Sequence, residues 1–251
     1  ADLGFDAVEI FAAGAETFPS GELRGLLAGH GLGLAAVGTG AGWVKHGLSL
    51  CDPDPGKRAR AGEFIAAIID TAGEFGAPAI IGSMQGRSSA DVPREAALDL
   101  LADALGPLGE RAGRHGQVLL YEPLNRYETD LFNRQADAAG FLEAHSLTQI
   151  RLLADLFHMN IEEADIAATL RASGRHLGHV HWADSDRRAM GLGHTPPEPI
   201  VAALRGIGFT GHLAAEVFPL PTSAEAAKAS IESFRRFVTC GAPMQTRPLG
   251  T

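Results

Sequence analysis

Short apolar runs alternate with longer amphipathic stretches along the whole chain. The runs at 7–10, 32–37, 79–82, 118–122, 150–155, 178–181 and 213–216 are mostly continuous in hydrophobicity, without strict in–out alternation. That pattern predicts parallel strands buried on both faces. Between them, segments 21–30, 55–75, 92–115, 134–145, 161–173, 197–206 and 224–238 carry apolar residues at helical spacing. Gly closes most of these segments, as in HGLGL, FGAP, HGQV, SGRH and IGFTG, where a helix ending in left-handed geometry favours it. Pro55 and Pro197 suit first-turn positions. The stretch 39–50 reads as a loop.

Seven strand–helix units follow one another with no linker, low-complexity tract or change of composition, so residues 1–251 read as a single domain. An open doubly wound sheet would carry a G-x-G-x-x-G turn after an early strand, and none is present. A (β/α)8 TIM barrel fits better, since about 250 residues make one such barrel. The opening ADLGFDAVEI joins an apparent helix end, Ala1 to Gly4, directly to a strand. The expectation is a barrel that lacks its first strand and most of its first helix, roughly 25 residues.

Composition narrows the function classes. The net charge of -9 argues against a nucleic-acid partner. No apolar run approaches the ~20 residues of a membrane span, and the start lacks a basic, cleavable leader. A cytoplasmic protein without a membrane partner is expected. Cys51 and Cys240 lie far apart and outside any C-x-x-C motif, so they read as free thiols of a reducing compartment.

Candidate chemistry collects where strands end. QVLLYE ends on Glu122, IRLLAD on Asp155, LGHVH on His181 and HLAAE on Glu216, at spacings of 33, 26 and 35 residues. Each spacing is about one strand–helix unit of an eight-unit barrel, where chemistry sits at the carboxyl ends of the strands. A single acid at a strand end is usually a loop cap or an Arg partner. A single His is more often a hydrogen-bonded core residue. Four such groups at successive strand ends point instead to a metal site, which also explains how a buried strand can end on a carboxylate. Three carboxylates and one imidazole suit a divalent Mn²⁺, Co²⁺ or Mg²⁺. The absence of Cys from the set argues against structural zinc.

Further polar residues flank these four. Glu128 and Arg126 follow Glu122, His158 follows Asp155, and Arg187 follows His181. Glu128, His158 and Arg187 suit substrate binding, with loop salt bridges as the alternative. Trp43 either walls a pocket or simply packs. Glu162 and Glu163 read as first-turn acids that favour a helix dipole. The glycines of GLGH read as turn residues.

The segments EPLNRYETDLFN, ADLFHMNIEEADI, GHVHWADSDRRAMGLGH and AAEVF resemble the xylose-isomerase-like TIM barrels. Ketose 3-epimerases of the D-tagatose, D-psicose and L-ribulose types, and sugar phosphate isomerase/epimerases, are the most similar members. The resemblance runs from Leu3 to about Val238, and GWVKHGLSLCDPDP and IIGSMQGR share it. The chain departs from the family pattern in its substrate loops: Asp186 stands where Asn is expected, Leu156 where Thr is usual, and Met190 and Pro196 where Pro and Asp are common.

The resemblance implies one divalent ion, Mn²⁺ first, held by Glu122, Asp155, His181 and Glu216. It implies substrate contacts from Glu128, His158 and Arg187, and a homo-oligomer, dimer or tetramer. It also implies a ketose substrate inverted at C3 through a cis-enediolate, with Glu122 and Glu216 as the catalytic pair. An aldose–ketose or hydroxypyruvate-type isomerase would use the same metal site. An inactive, truncated sugar-binding barrel is a third possibility. An apurinic-site endonuclease shares this barrel but needs several ions and further His ligands that IIGSMQGR and ADSDRR do not offer.

Overall fold

The structure is a computed structural model that describes residues 1–239. Its strands are β1 (Ala7–Phe11), β2 (Gly33–Gly38), β3 (Ala79–Ile81), β4 (Leu119–Tyr121), β5 (Ile150–Asp155), β6 (Leu177–His181) and β7 (Leu213–Ala214). All seven pair in parallel and in chain order, forming a nearly closed barrel. Parallel neighbours require a crossover between them, and helices supply it: α1 (Ser20–His30), α2 (Ala41–His46), α3 (Pro55–Gly73), α4 (Arg94–Arg114), α5 (Gln135–Ala144), α6 (Leu156–Glu162), α7 (Ile166–Ser173), α8 (Pro197–Gly206) and α9 (Ser223–Phe234).

The long helices form because their ends are capped and one face is apolar. In α3, Asp54 accepts from Gly56 N–H, Pro55 opens the first turn, and Ala61, Ile65, Ile68, Ile69 and Ala72 make the buried stripe. In α4 the stripe is Ala97, Leu101, Leu105, Leu108 and Ala112. These faces cover the outward side chains of the strands, including Val37, Ile81, Leu119, Tyr121 and Leu152. The pleat sends the alternate residues inward. Ala36, Ile80, Leu120 and Leu153 meet there as a separate buried layer, contributed by four successive strands. The next inward positions, one pleat further on, are where the chemistry stands.

Four expectations change. The stretch 39–50 holds a short helix, α2, closed by Gly47 in left-handed geometry at φ 61°. The single helix expected over 161–173 is two. Asp155 caps α6 through Phe157 N–H and Asp165 caps α7 through Ala168 N–H, so each cap starts its own helix. Glu162 and Glu163 therefore lie at the end of α6 rather than in a first turn. Glu162 takes a bidentate ion pair from Arg126, and Glu163 accepts from Gln135 N–H and Thr169 Oγ1.

The opening segment is a turn, with Gly4 N–H donating to Ala1 O at 2.6 Å, not a helix end. Among the described residues the sheet has seven strands, β1 and β7 do not pair with each other, and both are half-buried. Cys51 is a buried free thiol aimed at Ala97 O; Cys240 lies outside the described residues. No helix of the described residues is long and apolar enough to cross a membrane.

The stripe of α4 is testable. Leu101 is wholly buried, so Leu101→Ala should remove about 2–5 kcal/mol of stability. A urea titration should show a lower midpoint at an unchanged slope. A loss under about 1 kcal/mol would place Leu101 outside the tightly packed core.

Candidate active site

The pleat that makes the apolar inner layer also selects the polar groups above it. Leu120 leads to Glu122, Leu153 to Asp155, and His179 to His181, each two residues further along an inward-facing row. Glu216 follows Ala214 of β7 in the same way. One atom from each of Glu122, Asp155, His181 and Glu216 lies within 4.8 Å of the others. The four residues expected from the sequence to form a metal site are thus brought together.

Space for this cluster comes partly from Gly82, the inward residue after β3. A Cβ there would stand 2.6 Å from Glu122 Oε2. Gln85 fixes the backbone beside it: its Nε2 donates to the carbonyls of Gly82 and Glu122, while Tyr121 donates its hydroxyl to Gln85 Oε1.

The carboxylates outnumber the cationic side chains around them, of which Arg187 reaches only Asp155 and Glu216. His181 Nδ1 stands 3.1 Å from Glu216 Oε2, 3.3 Å from Asp155 Oδ2 and 3.4 Å from Glu122 Oε1. One ring nitrogen carries at most one proton, which cannot satisfy three carboxylates. Glu122 Oε1 is buried and has no hydrogen-bond partner, a condition that destabilises a charged oxygen strongly. Burial pushes the Glu122 carboxyl up, and the Glu216 and Asp155 charges add to that, although His181 opposes it. Burial also disfavours the Asp155 anion, but the His181 hydrogen bond and the His158, His181 and Arg187 charges outweigh it and hold Asp155 low. Burial lowers His181, yet Glu9 and the three carboxylates reverse this and raise it. An orphaned oxygen, three acids and one imidazole are a donor set that fits a divalent ion of the hard or borderline kind.

Two N–H donors converge on the cluster. Asn125 donates its backbone N–H to His158 Nδ1 at 3.2 Å, which leaves the His158 ring proton on Nε2. That nitrogen stands 3.7 Å from Asp155, 4.0 Å from Glu122 and 3.4 Å from Arg187 Nη1. Arg187 also reaches Glu216 and Asp155 through Nη2, and its guanidinium lies 4.7 Å over the Phe157 ring. Two donors 3.4 Å apart and aimed to the same side can share one acceptor placed beside them.

Glu128 takes a hydrogen bond from Asn125 Nδ2 and, with Trp43, Ser83, Gly86, Arg87 and Tyr127, lines a cavity of about 210 Å³. That cavity lies over the carboxyl ends of β2, β3 and β4. Trp43 is accordingly a wall residue.

The loop carrying Arg187 is held by a residue that the sequence pattern did not single out. Asp184 is wholly buried, and its carboxylate accepts from the backbone N–H groups of Ser185, Gly191, Gly193 and Thr195 at 2.6–3.0 Å. The GLGH glycines are thus turn residues with their N–H groups turned inward. Arg187 itself sits at φ 56°, pinned by its own N–H to Asp184 O and by Phe218 N–H to its carbonyl. Glu9 and His179 were also missed. Glu9 interrupts the apolar run AVEIF, and His179 shares a face with His181 at a spacing of two, so both left a signal in the sequence.

Burial opposes the Asp184 charge, but the four backbone donors prevail and the pKa falls to about 2. The folded value is below the unfolded one, so the stabilisation is complete above about pH 5 and disappears as pH falls through about 2. Asp184→Asn should therefore be less stable than the parent by about 2 kcal/mol at neutral pH. In urea titrations that difference should shrink steadily from pH 5 towards pH 2. A difference independent of pH would show that the charge is not what holds the loop.

Comparison with known proteins identifies the family and the fold. The family described as xylose isomerase-like TIM barrel matches residues 1–237. The chain is 29% identical to D-psicose 3-epimerase of Ruminiclostridium cellulolyticum, over 87% of this chain and 75% of that protein. It is 30% identical to D-psicose 3-epimerase of Agrobacterium fabrum, over 87% of this chain and 76% of that protein. A crystal structure of D-psicose 3-epimerase in the presence of D-fructose superposes with a TM-score of 0.82 at 24% identity, covering 94% of this chain and 90% of that one. The chain belongs to the xylose isomerase-like TIM barrel family and, with its epimerase relatives, is an isomerase.

Proposed function

We propose that this protein is a metal-dependent sugar epimerase that inverts C3 of a ketose. The observation that carries the reading is the meeting of Glu122 and Glu216 beside His181 and Asp155, with one carboxylate oxygen unpartnered. The named activity of the matched relatives supports it. Glu122, Asp155, His181 and Glu216 would hold one divalent ion, Mn²⁺ first and Co²⁺ or Mg²⁺ as alternatives. When bound, such an ion supplies Lewis-acid polarisation of a carbonyl and its neighbouring hydroxyl.

The remaining chemistry belongs to the side chains. Glu122 follows β4 and Glu216 follows β7, and β5 and β6 lie between them in the sheet. The two carboxylates therefore approach the mouth from different sides. One takes the C3 proton of the ketose, leaving an enediolate, and the other, protonated, returns a proton to the opposite face. Electron pairs return to carbon in the second step, so no redox cofactor is consumed. The power of both groups as bases rests on placement within hydrogen-bond reach. His158 Nε2–H and Arg187 Nη1 would hold a substrate oxygen between them and steady its developing negative charge. Trp43, Tyr127 and Glu128 would border the remainder of the sugar.

Incubation of metal-loaded protein with a panel of ketoses and ketose phosphates in D₂O, followed by NMR, tests the reading. Deuterium at C3 with inversion is expected. Exchange at C1 with an aldose product would replace epimerase by isomerase. Glu216→Gln keeps an oxygen ligand but not the base, so it should lower turnover by about 10²–10⁴-fold while sugar binding persists. Turnover within tenfold of the parent would leave Glu216 only a ligand role.

A further inference from the structure

One buried carboxylate has no part in the chemistry above. Glu9 lies in the middle of β1 and points inward, since its neighbours Val8 and Ile10 pack outward against the helix-facing core. β1 and β6 are not adjacent in the sheet, so Glu9 reaches β6 across the barrel interior. Its Oε2 stands 2.9 Å from His179 Nε2 and its Oε1 stands 3.1 Å from His181 Nε2. A single carboxylate thus engages both imidazoles of the H-x-H row. The two rings stand edge to face, with centroids 5.5 Å apart and planes at 87°.

The two nitrogens of His181 face opposite chemistry. Nδ1 looks into the three carboxylates, and Nε2 is met by Glu9. A neutral imidazole has one proton and one lone pair to distribute between them. Three carboxylates on the Nδ1 side pull the proton towards Nδ1, which would leave no lone pair for an ion. A carboxylate on the Nε2 side pulls the other way. The contact with His179 fixes the second oxygen of Glu9, and so the plane of its carboxylate. Histidine ligands are held in this manner when the outer nitrogen donates to an acid, which sets both tautomer and ring angle.

We propose that Glu9 is a positioning residue that holds the Nε2–H of His181 and so keeps Nδ1 free to ligate the divalent ion. The inference rests on the metal reading of the Glu122–Asp155–His181–Glu216 cluster. Its rival is a second ion among Glu9, His179 and His181, whose ligand atoms also lie within 4.8 Å of one another. That rival makes His181 bridge two ions through both nitrogens, so it requires loss of the very Nε2 proton that Glu9 is placed to accept.

Metal stoichiometry and affinity, measured by competition of Mn²⁺ with a chromophoric chelator, separate these cases. The parent should bind one equivalent. Glu9→Gln should still bind one equivalent but about 10–100-fold more weakly. Far-UV circular dichroism should show it folded. In Mg²⁺-loaded parent protein, the His181 Nε2–H should give a downfield, slowly exchanging proton resonance, and Glu9→Gln should move it upfield. His179→Gln, whose side-chain amide can still donate to Glu9 Oε2 and so keep the Glu9–His181 contact, should retain an affinity close to that of the parent, and a loss as large as that of Glu9→Gln would overturn the assignment of the effect to the Glu9–His181 contact.

Equal affinity in the parent and Glu9→Gln overturns the proposal. Two equivalents in the parent, falling to one in Glu9→Gln, overturn it in favour of the second ion. No bound ion in the parent removes the metal reading itself and the proposal with it. Should Glu9→Gln fail to fold, the parent alone decides, because a rapidly exchanging His181 Nε2–H at an ordinary position also overturns it.

Discussion

Three carboxylates converge on a single imidazole nitrogen at distances of 3.1–3.4 Å. Like charges this close in a buried setting repel strongly, and desolvation adds to the penalty. Arg187 offsets part of the negative charge through Glu216 and Asp155. Glu122 Oε1 still has no hydrogen-bond partner. A divalent ion is the simplest occupant that relieves all of these at once. The remainder of the molecule acts to keep the groups in place while they oppose one another.

The barrel does so through its period of two. The inner layer of Ala36, Ile80, Leu120 and Leu153 closes the floor with apolar volume. One pleat higher, the same rows deliver Gly82, Glu122 and Asp155, with Gly82 making room for the Glu122 carboxylate. The loops are then tied to this frame by buried acids. Asp184 gathers four backbone N–H groups behind Arg187. Glu162 clamps the Arg126 guanidinium and its backbone N–H, which locks the loop after β4 onto α6. Asp155 serves twice, as a member of the cluster and as the N-cap of α6. That double use places His158 one turn into α6, with its Nε2 facing Glu122 and Asp155.

Much of this arrangement could be read before any coordinates. Strands buried on both faces leave continuous apolar runs, so a charged residue closing each run stands out, and all four of Glu122, Asp155, His181 and Glu216 were visible that way. What escaped notice did so for physical reasons. Glu9 sits inside a strand rather than at its end, where a carboxylate is read as noise in an apolar run. Asp184 acts through backbone N–H groups of a loop, and no residue pattern marks those. Apolar residues continue through 161–173 at helical spacing, but Glu163 turns extended at the end of α6 and Asp165 caps a new helix, α7. α2 is six residues long, too short for periodicity to show.

In the proposed function the four strand-end groups share one ion. Diffraction from crystals soaked in Mn²⁺, recorded for anomalous signal, tests it most directly. One strong peak is expected at bonding distance from Glu122, Asp155, His181 Nδ1 and Glu216. No peak there, or a peak confined to Glu9 and His179, would rule out a shared ion at the four strand ends.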